Sequence, residues 1–206
     1  MVFGKAVATG AVAVLITATA PVAGAEPAHG DRAFTTGGTF TAPEGVSSVF
    51  IALWGAGGGG GVTAPPAAAP KPPETPAQQP PNAPGTTGGG GGAAWCSVAV
   101  TPATEYIVTV GVGGVPGAPG GDSSLGVTGS PPLVVAHGGQ AGTPGAYGRG
   151  GTADCGTSPG LVAAGSDGTA DQPGTAGVIP GEPPGGIGSG GAAGAPGAPG
   201  YVYLWW

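Results

Sequence analysis

The chain has 206 residues, of which Gly (49) and Pro (25) together make about a third, against an average near 12%. Only 7% are charged and 40% are hydrophobic, which departs from the pairing of low hydrophobicity with high net charge that marks disorder and leaves room for one folded, glycine-rich domain. Beyond residue 25 the cations are Arg32, Lys71 and Arg149 against ten acidic side chains; that balance supplies no basic patch for phosphates and excludes nucleic acid and anionic membrane as partners.

Residues 1–25 read as a secretory signal peptide. Lys5 is a minimal basic head, residues 6–18 are an apolar stretch, and Ala23-Gly24-Ala25 is a small-x-small cleavage site. The apolar stretch is short for about 30 Å of hydrocarbon, and Pro21 and Gly24 end it, so no membrane span is expected once cleavage occurs near Ala25. No Cys follows the cleavage site for lipidation, and the C-terminus carries no apolar tail or sorting motif. A secreted, extracellular product is expected.

Residues 26–33 form a polar lead-in expected to be flexible. The glycine-rich domain takes residues 34–206, its ordered part starting at residues 34–40, with a turn at Ala42-Pro43-Glu44-Gly45. Residues 47–54 alternate as a strand, with Val49, Ile51 and Leu53 on one face and Phe50, Ala52 and Trp54 on the other. Both faces are apolar, which predicts a central strand covered on both sides. A glycine run follows, residues 57–61, and a second occupies residues 88–92. Between them residues 62–87 are a Pro/Ala-rich insertion. Proline blocks helix and sheet ladders, so a solvated, polyproline II-like surface loop is expected there, with peptide-like binding the lesser reading.

Residues 93–100 and 105–110 read as two strands, the first sharing Ala94, Cys96, Val98 and Val100 on a face, the second Tyr106, Val108 and Val110. The short Thr101-Pro102-Ala103-Thr104 link predicts a hairpin between them. Residues 133–136 are a fourth short strand, and the closing YVYLWW, residues 201–206, is the last and the natural partner of residues 49–54. No helical period occurs after the signal peptide. The predicted fold class is therefore all-β with extensive coil: a small antiparallel sheet or sandwich, glycine-rich polyproline II-like segments, and almost no helix.

Residues 114–120 and 194–200 read Gly-X-Pro-Gly-X-Pro-Gly. The triplet register fails after two repeats, which argues against a collagen triple helix but fits extended segments with three residues per turn. Such segments have no internal hydrogen bonds, so packed ones must bond sideways. Glycine lets their backbones approach closely at a high entropy cost. A bundle of this kind, pinned by a few strands, is the expected architecture.

Cys96 and Cys155 are the two cysteines. In an oxidising compartment they favour a disulfide over two free thiols. With His29 and His137 in separate contexts they make no zinc pattern. Closing a loop of about 60 residues is worth roughly 4 kcal/mol in the chain-entropy picture.

Signals for chemistry are weak. Residues 55–60 match G-x-G-x-x-G after a strand, but more glycine and then proline follow in place of the helix a dinucleotide needs. Ser123 or Ser124 with His137 and Asp122 or Asp154 would assemble a hydrolytic set, without a nucleophile-elbow motif. Glu44, Glu74, Glu105 and Glu182 are unpaired in sequence, and Asp122, Asp154, Asp167 and Asp171 lack calcium-loop spacing. No catalytic residue, metal or cofactor is assigned. Tyr147 and Arg149, an aromatic and a cation in GAYGRGG, are the candidates for surface binding. The alternative for Tyr147 is packing across the glycine layer.

The order TFTAPEGVSSVFIALWGAGGGGG, GGGGGAAWCSVAVTPATEYIVTVGVGG, GGDSSLG, VVAHGGQAG and GAPGYVYLWW resembles the glycine-rich domain of phage tail-fibre and adhesin tips, and related domains of bacterial secreted proteins. The resemblance covers residues 34–206 with the Pro-rich stretch as an insertion. It implies a scaffold whose loops bind surfaces. The signal peptide, the cysteine pair and the lack of a fibre shaft point toward the bacterial secreted relatives. The leading expectation is a non-enzymatic, adhesin-like surface-binding or cell-envelope structural module, its partner a cell-surface glycan or envelope protein. The alternatives are a secreted hydrolase at Ser123, Ser124 and His137, and a disordered extracellular spacer.

Overall fold

Strand β3 (Ser48–Trp54) sets the frame. The computed structural model describes residues 29–63, 85–181 and 183–206; the expected signal peptide and most of the Pro-rich insertion lie outside the described residues. Val49, Ile51 and Leu53 of β3 are wholly buried on one face, and Ala52 and Trp54 are buried on the other, where Phe50 remains exposed. Alternation with two apolar faces thus places β3 at the centre of a five-stranded sheet. On one side it pairs antiparallel with β10 (Tyr201–Trp205), Tyr201 lying opposite Trp54 and Trp205 opposite Phe50, as expected of the closing segment. On the other it pairs with β4 (Ala93–Ala99). The edges are β1 (Asp31–Phe34), beside β10, and β9 (Gly160–Ala163), beside β4.

A second antiparallel sheet runs β2 (Gly38–Thr41), β5 (Glu105–Thr109), β6 (Ser123–Gly126), β7 (Val134–Ala136), β8 (Ala153–Asp154). The inward residues of both sheets make one core, in which Ile51, Leu53 and Val98 of the first are clustered with Phe40, Val108 and Leu125 of the second. The fold is all-β, with no helix among the described residues.

Three local expectations change. The hairpin between residues 93–100 and 105–110 does not form: β4 lies in the first sheet and β5 in the second. Both edges of β4 are taken, by β3 and β9, so the chain crosses over and β5 pairs with β2 and β6. The link is fixed by Ala103 N donating to Ala42 O (2.8 Å) and Ala42 N to Thr104 O (3.0 Å). Thr101 N also donates to the Tyr106 hydroxyl at 2.8 Å. Secondly, ordered structure begins before residue 34, because Asp31, Arg32 and Ala33 pair with Trp205, Leu204 and Tyr203. Thirdly, β6, β8 and β9 arise within sequence that reads as glycine coil.

Where β3 ends, the glycine run continues its line into a laterally bonded bundle. Gly55, Gly58 and Gly61 donate their N–H groups to Gly92, Gly89 and Thr86. Ala56 and Gly59 donate to Gly121 and Ala118, and Gly57 and Gly60 to Ala198 and Ala195. Each neighbour recurs every third residue, the signature of a three-fold extended helix. The carbonyls obey the same rule toward three further segments, Gly59 O accepting from Gly142 N, Gly60 O from Gly117 N and Gly61 O from Gly194 N. The other run behaves alike: Gly88 donates to Gly191, Gly89 to Gln140 and Gly90 to Ser166, at 2.8–3.0 Å. The N–H groups of residues 55–61 and 88–92 thus all find carbonyl partners, as buried backbone requires.

This geometry explains the composition. With six neighbours, an inner segment has no direction left for a side chain. A Cβ at Gly57 would land on the Ser189 carbonyl, at Gly60 on that of Ala192, at Gly89 on that of Arg149 and at Gly90 on that of Thr175. Outer segments have a solvent side, which is where Ala118, Ala195 and the prolines of the triplets reside. The Cys96–Cys155 disulfide, with Cα atoms 5.8 Å apart, ties β4 of the first sheet to the residue after β8 of the second.

Candidate functional site

The residues singled out from sequence do not converge. Ser123 is fully buried, its Oγ donating to Trp54 O (2.7 Å) and accepting from Gly111 N (3.0 Å). It bolts β6 to the point where β3 passes into the glycine bundle. Ser124 faces the other way from β6 and lines a shallow depression of about 250 Å³ with Ile107, Thr109 and Pro132. His137 Nδ1 lies 3.1 Å from Asp122 Oδ2, both side chains about half exposed. Asp122 Oδ1 also accepts from Gly138 N at 2.9 Å, so this pair clips the chain after β7. Tyr147 is exposed and does not fill the glycine layer, and Arg149 is exposed beside it in sequence. Their backbone belongs to an outer segment: Gln140 N donates to Arg149 O, and the preceding turn closes through Thr143 and Ala146. No group of three or more His, Cys, Asp or Glu side chains able to hold a metal ion occurs among the described residues.

The feature that does converge is the outer face of the first sheet. Alternation sends Phe50, Ala52 and Trp54 of β3 outward, with Trp95 of β4 and Tyr201, Tyr203 and Trp205 of β10. Phe50 stacks on Trp205 (centroids 5.5 Å apart, planes 15° apart) and on Trp95 (5.9 Å, 27°). Tyr203 leans on Trp205 at 5.6 Å, and Trp54 on Tyr201 at 6.1 Å. Aromatic pairs in such arrangements add about 0.5–1.5 kcal/mol each beyond burial. Ala52, opposite Tyr203 and Trp95, is a small residue set among these rings, and it lines a groove of about 860 Å³.

One wall of the groove is Trp54 and Tyr201 with Pro180 and Gly181. Trp54 Nε1 donates to Gly177 O at 3.2 Å, and Ile179 packs on the same cluster; these contacts hold the 177–181 backbone at the groove's edge. The opposite wall is Trp95, Trp205 and Tyr203, and the far end is formed by His29, Gly30 and Asp31. Hydrogen bonding with the Asp31 carboxylate, then desolvation and the repulsion of a second negative charge, holds the Tyr203 phenol above its usual pKa. The groove thus offers ring edges and faces, indole and phenol donors, and one carboxylate.

Sequence reasoning placed the aromatic mass in these strands without seeing that it gathers on one face. The signal was the two-sided apolar alternation of β3 together with the facing Tyr201, Tyr203 and Trp205.

A family model described as a glycine-rich domain matches residues 34–202. No curated protein matches the chain.

Proposed function

The chain belongs to the glycine-rich domain family over residues 34–202, and on that premise we propose that it is an exported, non-enzymatic binding module of the cell surface or envelope, with the aromatic groove as its binding face. The groove is the observation that carries the reading: a large aromatic surface with a polar end, open to solvent on a small antiparallel sheet. Apolar concavities with a few convergent polar groups are the usual form of binding sites, and Trp and Tyr anchor interfaces. Export is supported by the disulfide, which belongs to a non-reducing setting, and by the sequence of residues 1–25. The non-enzymatic reading is supported by Ser123, whose hydroxyl is committed to backbone partners. The likeness to phage and adhesin tips favours an extended surface polymer as partner, a cell-surface glycan or a segment of an envelope protein.

Whole-cell and glycan-array binding of the purified protein tests this. Trp205→Ala is expected to lower binding at least tenfold, and Tyr147→Ala to leave it within twofold. Equal binding by Trp205→Ala and the parent, with loss in Tyr147→Ala, would move the site to the loop at Tyr147 and Arg149. A hydrolytic activity lost in His137→Ala would restore the enzyme reading.

A further inference from the structure

We propose that the aromatic groove is a site for an organic cation, a quaternary ammonium group of the choline type, held between the two ring walls with Asp31 as its counter-charge. The inference rests on the groove being the binding face and names the chemistry taken there.

The walls present what such a cation needs. Ala52 of β3 lies opposite Tyr203 on one side and Trp95 on the other. Two strand spacings therefore part the roots of those rings, roughly 10 Å, with the Ala52 methyl between. Trp205 approaches Trp95, their centroids 6.2 Å apart, and Trp54 with Tyr201 stands in the facing wall. A cation within about 6 Å of a ring centroid is attracted to the negative face of the π system. A group lodged between these walls meets such faces on both sides.

Charge selects the sign. No Lys or Arg side chain lines the groove, so an anion finds no counter-charge there. Asp31 lies opposite Trp205 in the β1–β10 register and shares its outward face. Arg32, opposite Leu204, is turned to the other face, where its guanidinium lies 4.6 Å over the Phe34 ring. The pleat thus parts the carboxylate from the neighbouring cation. Among the described residues the one ion pair joins His137 to Asp122, so Asp31 has no cationic partner there. Its field reaches the ring wall, as the raised Tyr203 phenol records.

Hydrogen bonding selects the kind of cation. A primary ammonium is strongly hydrated and carries three N–H donors, which ask for acceptors when it leaves water. The groove's side chains are rich in donors, the indoles of Trp95 and Trp205 and the phenols of Tyr201 and Tyr203, with Asp31 as the lone carboxylate. A quaternary ammonium has no N–H to satisfy, and its methyl groups bury against ring faces as hydrocarbon does. A neutral ligand of the same shape would gain from the rings but not from the carboxylate.

The test titrates the intact protein with three probes. They are choline, its uncharged analogue with carbon in place of nitrogen, and ethanolamine, which keeps the charge as a primary ammonium. Choline is expected to change tryptophan fluorescence saturably at millimolar concentrations or below, and the other two to bind at least fivefold more weakly. Asp31→Asn should weaken choline at least threefold and leave the uncharged analogue within twofold, a split that loss of structure would not produce. Trp205→Ala should weaken both. The proposal is overturned by the lack of a saturable response to choline, or by equal binding of the uncharged analogue or of ethanolamine. It is overturned as well by an Asp31→Asn protein that holds choline as the parent does. Trp205-dependent binding of cells or glycans by a protein that ignores choline would refute this inference and leave the proposed function standing. Choline held in the groove by a protein that binds no cell or surface would support this site and remove the surface role.

Discussion

At the scale of single residues, the fold is governed by where a Cβ is forbidden. Gly60→Ala would drive a methyl group into the Ala192 backbone, with no flexible side chain to yield. The expected loss is about 3 kcal/mol or more, read by urea unfolding. Gly185 has open space around it and no left-handed backbone, so Gly185→Ala should fall within about 0.5 kcal/mol of the parent or stabilise it. Ala103 is the converse case, a residue with a Cβ at φ 58°. L-residues pay about 1–2 kcal/mol there, so Ala103→Gly is expected to stabilise by about 0.5–1 kcal/mol after glycine's greater unfolded-state freedom is counted. Tyr203 gives a pH signature. Its phenol is raised by the Asp31 hydrogen bond, then desolvation and charge. The associated stabilisation is present below the ordinary tyrosine range and is lost as pH rises through the raised folded value. In an ultraviolet titration, Asp31→Asn should bring that midpoint down. These residue roles were only partly legible in the sequence. Val49, Ile51 and Leu53 declared themselves by alternation, whereas the burial of Ser123 did not, since Ser123 and Ser124 look alike until the pleat of β6 assigns one to each face.

At the scale of elements, the sequence showed strands more readily than their partners. YVYLWW was matched to β3 because both are apolar on two faces, and a strand of that kind needs a neighbour of the same kind. The β4–β5 link misled because a short Pro-bearing connection has the same appearance whether it closes a hairpin or crosses between sheets; the occupied edges of β4 decide it. Short β8 and β9 lack enough side chains to show a period and are fixed by their neighbours and by the cysteine bridge. That bridge spans 59 residues of sequence and joins the two sheets. Replacing Cys96 and Cys155 by Ala is expected to cost about 2–5 kcal/mol, visible as a lower urea midpoint, with the reduced parent behaving likewise. The aromatic groove was hidden for a related reason. Its members come from β3, β4 and β10, and only the register of three strands brings Trp95, Ala52 and Tyr203 into one row.

At the scale of the whole molecule, the two sheets and the glycine bundle are one construction. The sheets supply hydrophobic burial, and the bundle extends β3 and β4 without side chains by letting each backbone group find a neighbour in turn. Such a body presents turns at one end and an aromatic face at the other. Amide hydrogen exchange of residues 57–61 and 88–92 tests the central claim, that the glycine runs are ordered by lateral backbone bonding. The account predicts protection there comparable to that of Ile51 and Leu53 in β3, with the groups freed together on unfolding. Exchange of those glycine amides at the rate of an unstructured peptide, while β3 stays protected, would contradict it.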